Sequence, residues 1–147
     1  MIVRRAQSED LHNLAVLFDE YRQFYGASSN FDLSHQFLKQ RFEDGQTVIF
    51  INTKDEALIG FIVLYLGFSS VACSTYYILD DVYISPAYRR QGAAKQLIDT
   101  AVLFAKHQQA LRISLETQKN NYQSHHLYES MGFVKDDEFQ TYHCFLK

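Results

Sequence analysis

A long apolar run in the middle of the chain constrains the fold more than any other feature. The segment from Leu58 to Phe68 is almost continuously apolar, as expected of a strand that is covered on both faces. Two further strand-like runs flank it, Val48 to Asn52 and Thr75 to Ile84, and short polar segments separate the three. We therefore expect three strands that pair as an antiparallel meander.

The residues before the meander have helical periodicity. Ile2 to Arg5 is a short strand-like run, and Ser8 can cap a helix after it. A second helix is predicted over Ser34 to Asp44, with Gly45 as its stop. Between the helices, Gly26 to Asp32 is a polar loop. The first helix has an apolar face at three- and four-residue spacing, formed by Leu11, Leu14, Ala15, Phe18 and Tyr21.

The residues after Pro86 alternate between helix and strand patterns. Gln91 to Gln108 has an apolar helical face, Leu111 to Leu115 is a short strand, and Asn121 to Met131 is a further helix. The remaining tail alternates and is predicted to form a final hairpin. A strand, a helix and a strand in succession favour a parallel crossover.

Together these patterns predict an α/β (α+β) fold in one domain that spans residues 1–147. The expected architecture is a mixed, mostly antiparallel central sheet of about seven strands. We expect about four helices, which cover both faces of the sheet.

Composition and charge exclude several classes of protein. The net charge is −3 and no basic stripe runs along the chain, so we expect no nucleic-acid partner. No apolar run reaches the roughly 18 residues of a membrane span, and the first residues do not resemble a signal peptide. Two cysteines are too few for a disulfide framework. We therefore predict a cytoplasmic protein. No histidine pair has the helical spacing that would suggest a metal site, so we expect no metal.

The segment from Arg89 to Lys95 has the composition of an anion site at the start of a helix. Backbone N–H groups in a first helical turn lack intrahelical partners and favour an anion. Gly92 has no Cβ and allows close approach of phosphate oxygens. The cations Arg89, Arg90 and Lys95 lie where the helix dipole disfavours them, by roughly 0.3–1 kcal/mol each. The alternative is an ordinary basic turn exposed to solvent, but the combination favours a pyrophosphate.

Other phosphate-binding loops do not fit this segment. The pattern G-x-x-x-x-G-K-[ST] of nucleotide hydrolases is absent, and so is the G-x-G-x-x-G pattern of dinucleotide-binding enzymes. A nucleotide hydrolase and a Rossmann dehydrogenase are therefore both disfavoured.

Two blocks of the sequence resemble the GNAT N-acetyltransferase superfamily. The run from Arg89 to Ala94 matches the pattern [QR]-x-x-G-x-[GA] of that superfamily, and Leu79 to Pro86 is similar to its fourth strand. The run from Asn121 to Phe133 resembles its N-x-x-[AS]-x-x-[LF]-Y-x-x-x-G-F signature. Arg90 and Ala94 stand where many members of the superfamily have glycine, although the first pattern permits alanine at position 94. Within the superfamily the motifs are most similar to small-amine acetyltransferases such as spermidine/spermine N-acetyltransferase.

The resemblance implies a GNAT-like fold and acetyl-CoA as co-substrate. It implies that the backbone of Val82, Tyr83 and Ile84 pairs with the pantetheine arm as another strand would, and that Asn121 bonds to that arm. It also implies that one continuous segment holds the pyrophosphate through main-chain donors. That segment consists of Arg89, Arg90, Gln91, Gly92, Ala93, Ala94 and Lys95.

The resemblance also implies roles for two catalytic residues. Tyr128 is expected near the thioester sulfur, where it would protonate the departing thiolate; the alternative is a tyrosine of the core. Asp80 matches an acidic residue of spermidine/spermine N-acetyltransferase and would act as a water-relayed base or pair with a substrate ammonium. The alternative for Asp80 is a carboxylate bonded to the loop or to Arg89. Because Asp80 and Asp81 are adjacent on a strand, their side chains are expected on opposite faces.

Three functions are compatible with these features. The first is an N-acetyltransferase that moves an acetyl group directly to the primary amine of a small molecule, such as a polyamine, a diamine or an amino acid. The second is a protein or peptide N-acetyltransferase, and the third is a non-catalytic acyl-CoA-binding module. The high aromatic content, 15% of residues, is compatible with a homodimer.

Overall fold

The computed structural model describes residues 1–147. It contains four α-helices and five β-strands, and two short 3₁₀ turns, Ser8–Asp10 and Pro86–Tyr88. The strands are β1 (Ile2–Arg5), β2 (Thr47–Lys54), β3 (Ala57–Ser69), β4 (Ser74–Ile84) and β5 (Ile113–Leu115). The helices are α1 (Leu11–Phe24), α2 (Phe31–Glu43), α3 (Ala93–His107) and α4 (Tyr122–Ser130).

The five strands form one mixed sheet in the order β1-β2-β3-β4-β5. The first three neighbouring pairs are antiparallel, so the predicted meander is confirmed. β4 and β5 are parallel and are joined through α3, as the alternation of patterns predicted.

Helices cover both faces of this sheet. Successive side chains of β2 alternate between the faces. Ile49 and Ile51 belong to a core cluster that includes residues of α1 and α2. Phe50 instead packs against Phe104 of α3, with ring centroids 5.6 Å apart. The predicted α/β architecture with helices on both faces is therefore confirmed.

Two predicted helix starts were wrong. Ser8 does not cap α1; it begins a 3₁₀ turn whose capping box is formed by Gln7 and Asp10. The second helix begins at Phe31, three residues earlier than predicted, because the side chain of Asn30 accepts a hydrogen bond from the backbone N–H of Leu33. That bond satisfies a donor of the first turn and extends the helix into the predicted loop.

The predicted final hairpin and the count of about seven strands were also wrong. Residues 133–147 contain no strand, and the sheet has five strands. Alternation stabilises a hairpin only where one face is buried. The large apolar side chains of this tail, including Phe139, Tyr142 and Phe145, are at least 80% exposed.

The chain divides into two compact units, residues 1–116 and 117–147. The first unit contains the sheet and helices α1 to α3, and the second contains α4 and the tail. None of the helices combines the length and apolar character that crossing a bilayer would require.

Candidate active site

One edge of β4 lacks a neighbouring strand over its last five residues. β5 pairs with β4 only at Tyr77, Ile78 and Leu79. Residues 81–84 of β4 continue to pair with β3 on the other side. Their β5-facing backbone edge is therefore open, and an extended ligand can be added to such an edge as another strand would be. The predicted pantetheine-binding residues Val82, Tyr83 and Ile84 lie on this open edge.

A β-bulge lies at the start of the open edge. The register of β3 and β4 shifts so that Val63 pairs with Asp81 and the next residue, Leu64, pairs with Leu79. Asp80 is thus the extra residue. The bulge changes the face of the sheet to which a given alternate set of β4 side chains points. Before the bulge, Tyr77 packs against Phe104 of α3, with ring centroids 5.4 Å apart. Beyond the bulge, β4 turns its side chains towards α1.

The packing of Tyr83 shows that change of face. Its ring lies 5.8 Å from that of Tyr21 in α1. Tyr77 and Tyr83 are six residues apart, so regular alternation would place both on one face. The extra residue Asp80 breaks the alternation, as a bulge does. It thereby turns the side chain of Asp81 towards α1.

The expectation that Asp80 and Asp81 point to opposite faces was wrong, because strict alternation does not hold at a bulge. The bulge instead brings the two carboxyl groups close enough for each to shift the pKa of the other. Asp81 is buried, and its Oδ1 atom accepts a hydrogen bond of 2.6 Å from the Tyr21 hydroxyl. Asp80 is exposed. The structure therefore contains a carboxyl pair with one buried and one accessible member.

The surroundings of the pair favour its protonated forms. Burial, opposed by the Tyr21 hydrogen bond and reinforced by the neighbouring Asp80, raises the pKa of Asp81 to about 6. The pKa of Asp80 is also raised, by partial desolvation of its carboxyl group and by the charge of Glu116, while its interaction with Asp81 lowers it. Neither aspartate takes part in any of the five ion pairs of the structure. The pair thus lacks a cation from the protein.

The loop after β4 presents a continuous set of backbone donors. No backbone or side-chain acceptor binds the N–H groups of residues 90–95. Arg90 and Gly92 have positive φ angles of 60° and 81°, which turn successive N–H groups towards one concave side. A Cβ atom added at Gly92 would meet nothing within 4 Å, so the space in front of the loop is open. These features fit the pyrophosphate of a coenzyme.

The side chains of the loop contribute less positive charge than the sequence suggests. Arg89 Nε donates a hydrogen bond of 2.9 Å to the carbonyl oxygen of Ile84. The backbone N–H of Arg89 donates to Pro86 at 3.4 Å, so Arg89 is not among the free donors. Lys95 Nζ lies 2.8 Å from Asp99. Of the three loop cations, Arg90 is the one without a hydrogen bond or an ion pair.

The other two predicted site residues lie on α4, in the second unit. Asn121 is the N-cap of α4, and its side chain accepts a hydrogen bond of 3.3 Å from the backbone N–H of Ser124. Tyr128 is buried, and its ring lies 5.6 Å from that of Phe133. Their predicted contacts with a coenzyme stay predictions.

Sequence reasoning missed Tyr21 and Tyr65 as parts of this site. Tyr21 lies 60 positions before Asp81, and its place on the apolar face of α1 indicated a core residue. Tyr65 is half-buried, and burial together with the charges of Asp81 and Asp80 raises its pKa to about 12. No local pattern could reveal either residue, because β-sheet pairing and helix packing bring them to the carboxyl pair.

The segment between α1 and α2 is bonded to α1 through Asp19. This buried carboxylate accepts hydrogen bonds from Ser29 Oγ at 2.6 Å, from Asn30 N at 2.9 Å and from Ser34 Oγ at 2.8 Å. These bonds hold the segment against the end of α1 that also carries Tyr21. No group of three or more histidine, cysteine, aspartate or glutamate residues is arranged to hold a metal ion.

Comparison with known proteins gives a consistent result. Residues 14–133 match the model of the Acetyltransferase (GNAT) family. The N-acetyltransferase YhfO of Bacillus subtilis (strain 168) is 36% identical over 142 residues, which cover 97% of this chain and 95% of that protein. A probable acetyltransferase of Haemophilus influenzae is 28% identical over 130 residues, 88% of this chain and 87% of that one. A crystal structure of a probable acetyltransferase has a TM-score of 0.94 and 36% identity, and covers 100% of this chain and 99% of that one.

Proposed function

Because the chain belongs to the GNAT acetyltransferase family and is an acetyl-CoA-dependent acetyltransferase, we propose that its acceptor is the primary amine of a small molecule. The class includes polyamines, diamines and compounds similar to amino acids. Acetyl-CoA supplies the acetyl group as a thioester, and the transfer is direct, without a covalent intermediate on the protein.

The observation that carries this proposal is the carboxyl pair at the β4 bulge. Asp80 and Asp81 are in direct contact, and Glu116 acts on Asp80, yet none of the three forms an ion pair with a lysine or arginine. Adjacent carboxylates repel each other, and a cation between or beside them relieves that repulsion. A substrate ammonium is such a cation, and the exposure of Asp80 gives it access.

The chain's own residues can position the co-substrate next to this pair. The free N–H groups from Arg90 to Lys95 would hold the pyrophosphate, and Arg89 would shape the start of the loop. The open edge at Val82 to Ile84 would hold the pantetheine arm, and Asn121 would add a further bond to it. Because the bulge adjoins the open edge of β4, the acetyl-bearing end of the arm and the carboxyl pair would share that edge.

Two residues would move protons in the reaction. Asp80 accepts the proton of the acceptor ammonium, directly or through water, because an amine must lose a proton before it can attack. Tyr128 donates a proton from its hydroxyl group to the leaving sulfur. Each role is typically worth about a hundredfold or more in rate.

A panel of acceptors tests the proposal. We expect release of free coenzyme A with spermidine, putrescine or lysine, and Asp80→Asn should lower kcat/KM about a hundredfold. Asp55→Asn is the matched control, since Asp55 is an exposed aspartate in the turn between β2 and β3 and should leave turnover unchanged. Acetylation of peptides but not of free amines would replace this proposal with a protein or peptide N-acetyltransferase. Coenzyme binding without any acetyl transfer would indicate an acyl-CoA-binding module.

We also propose that the protein is a homodimer. The tail of the second unit exposes several large apolar side chains, and such surfaces commonly become buried in subunit interfaces. They are Val134, Phe139, Tyr142, Phe145 and Leu146, each at least 80% exposed. Light scattering should give twice the mass of one chain, and a monomer at all concentrations would contradict this.

A further inference from the structure

The buried carboxyl group of Asp81 connects two elements that are distant in sequence. It accepts a hydrogen bond of 2.6 Å from the hydroxyl of Tyr21 in α1, and at the β4 bulge it lies next to the carboxyl group of Asp80, with which it interacts. Asp81 is 8% exposed, whereas Asp80 is open to solvent. The result is a chain of neighbouring groups that runs from Tyr21 in the aromatic core through Asp81 to the accessible carboxyl group of Asp80.

Packing alone does not explain this chain. A buried carboxylate without a cationic partner destabilises a fold, and a neutral residue of similar size would fill the same space without that cost. The groups that interact with Asp81 or with Asp80 are carboxyls and phenols: Tyr21 from α1, Tyr65 from β3, the two aspartates of β4 themselves and, beside Asp80, Glu116 after β5. Buried titratable groups without a compensating charge are concentrated at functional sites.

We propose that Asp81 and Tyr21 are positioning residues for Asp80, with Asp81 sharing the proton that Asp80 removes from the acceptor ammonium and Tyr21 holding Asp81 in place. The inference rests on the proposed amine acceptor. An N–H bond of the ammonium breaks and its electron pair stays on nitrogen, while an O–H bond forms on Asp80. Protonated Asp80 then donates a hydrogen bond to Asp81, which holds the proton until it passes to water at the exposed carboxyl group.

Two carboxyl groups in contact bind one proton more tightly than either does alone, because the second carboxylate accepts a hydrogen bond from the protonated one. This makes the pair a better base near neutral pH than an isolated exposed aspartate. Burial raises the pKa of Asp81 to about 6. Below that pH the pair already holds a proton and cannot accept another from the ammonium. The rate of acetyl transfer should therefore rise with pH through about 6 and then level off.

Two substitutions should move this pH profile in opposite directions. Asp81→Asn keeps an acceptor for Tyr21 and a donor for Asp80 but removes the shared proton, so the acid limb should move to lower pH and the plateau of kcat should fall about tenfold. Tyr21→Phe removes a donor that stabilises ionised Asp81, so the acid limb should move up by about one pH unit. Tyr25→Phe is the matched control, since the ring of Tyr25 lies 5.1 Å from that of Tyr21 and its side chain is 59% exposed.

A titration of the free protein tests the pair without any substrate. Carbon-13 NMR of labelled aspartate should show a carboxyl group that titrates near pH 6 and is absent from Asp81→Asn. In Tyr21→Phe the same signal should titrate at higher pH, and in Tyr25→Phe it should be unchanged.

The outcomes separate this inference from the proposed function. If no free amine is acetylated but the NMR signal behaves as expected, the acceptor assignment fails and the shared proton stands. A signal near pH 6 that persists in Asp81→Asn overturns the inference, even when amines are acetylated. A pH–rate profile of Tyr21→Phe that coincides with the wild-type profile also overturns the inference. If Asp81→Asn does not fold, the comparison of Tyr21→Phe with wild type is the deciding test.

Discussion

The Nε atom of Arg89 donates a hydrogen bond of 2.9 Å to the carbonyl oxygen of Ile84. The bond joins the first residue of the loop from Arg89 to Lys95 to the last residue of β4. The guanidinium group also lies 5.4 Å from the ring centroids of both Phe24 and Tyr83. The positive charge of Arg89 is thus directed at the protein, and its side chain fixes the direction in which the loop leaves the strand.

Arg89 and Arg90 should therefore differ on substitution. Arg89→Gln removes the hydrogen bond to the carbonyl oxygen of Ile84 and the contacts of the guanidinium group with the rings of Phe24 and Tyr83. It should lower the free energy of unfolding by about 1 kcal/mol. Arg90→Gln should leave stability unchanged but weaken binding of coenzyme A, with a weaker dependence of affinity on salt. Urea unfolding and calorimetry at two salt concentrations provide the measurements. Equal effects of the two substitutions on stability would contradict these roles.

Substitution of Gly92 should impair binding of coenzyme A beyond its effect on the backbone. Gly92→Ala forces a residue with a Cβ into the left-handed region, at a cost of about 1 kcal/mol, and adds a methyl group to the segment that carries the free N–H donors. Gly45→Ala is the control, because Gly45 has a φ of 69° and likewise open space around it. Both variants should lose similar stability, and only Gly92→Ala should bind coenzyme A about tenfold more weakly. Equal affinities in calorimetry would exclude the loop as the pyrophosphate site.

Removal of the Tyr128 hydroxyl should affect kcat more than coenzyme affinity. If Tyr128 is the proton donor, Tyr128→Phe should lower kcat about a hundredfold, because the ring still packs but the donor is gone. Tyr122→Phe, on the same helix but 69% exposed, should have no effect. Stopped assays of coenzyme A release give kcat, and thermal unfolding shows whether the variants fold equally well. An unchanged kcat for Tyr128→Phe would leave Tyr128 with a purely structural role.

Asp81 should make the stability of the protein depend on pH. Its pKa is raised to about 6 in the folded state, above the unfolded value of about 4. The folded protein therefore binds the proton more tightly. That contribution to stability is fully present below the unfolded pKa and is lost as pH rises through the folded pKa.

Asp81→Asn lacks this titration, so its stability relative to wild type should increase between about pH 4 and pH 7 by at most about 3 kcal/mol. Urea unfolding at the two pH values measures the difference. Asp55→Asn, an exposed control, should show no such trend. A pH-independent difference between Asp81→Asn and wild type would show that Asp81 titrates normally.

Most of the fold could be predicted from the sequence, because its evidence is local. The apolar run around β3 predicted a strand covered on both faces, and the structure confirms it, with Phe61 and Ile62 fully buried. The periodicity of α1 and α3 predicted their buried faces. The tail was predicted wrongly because alternation indicates which side chains share a face but not whether anything covers that face.

The candidate site divides in the same way. The loop from Arg89 to Lys95 could be predicted from the sequence, because a strand end, a turn and a helix start follow one another along the chain there. The free N–H groups of the first helical turn follow from the backbone geometry of any helix. The contact of Asp80 with Asp81 depends on a bulge opposite β3, and the Tyr21 bond depends on the packing of α1 against the sheet. Hydrogen bonds between residues 60 positions apart leave no periodic trace in a sequence. Only the tertiary structure, which buries Asp81 and excludes cations from it, decided where the carboxyl pair lies and how it titrates.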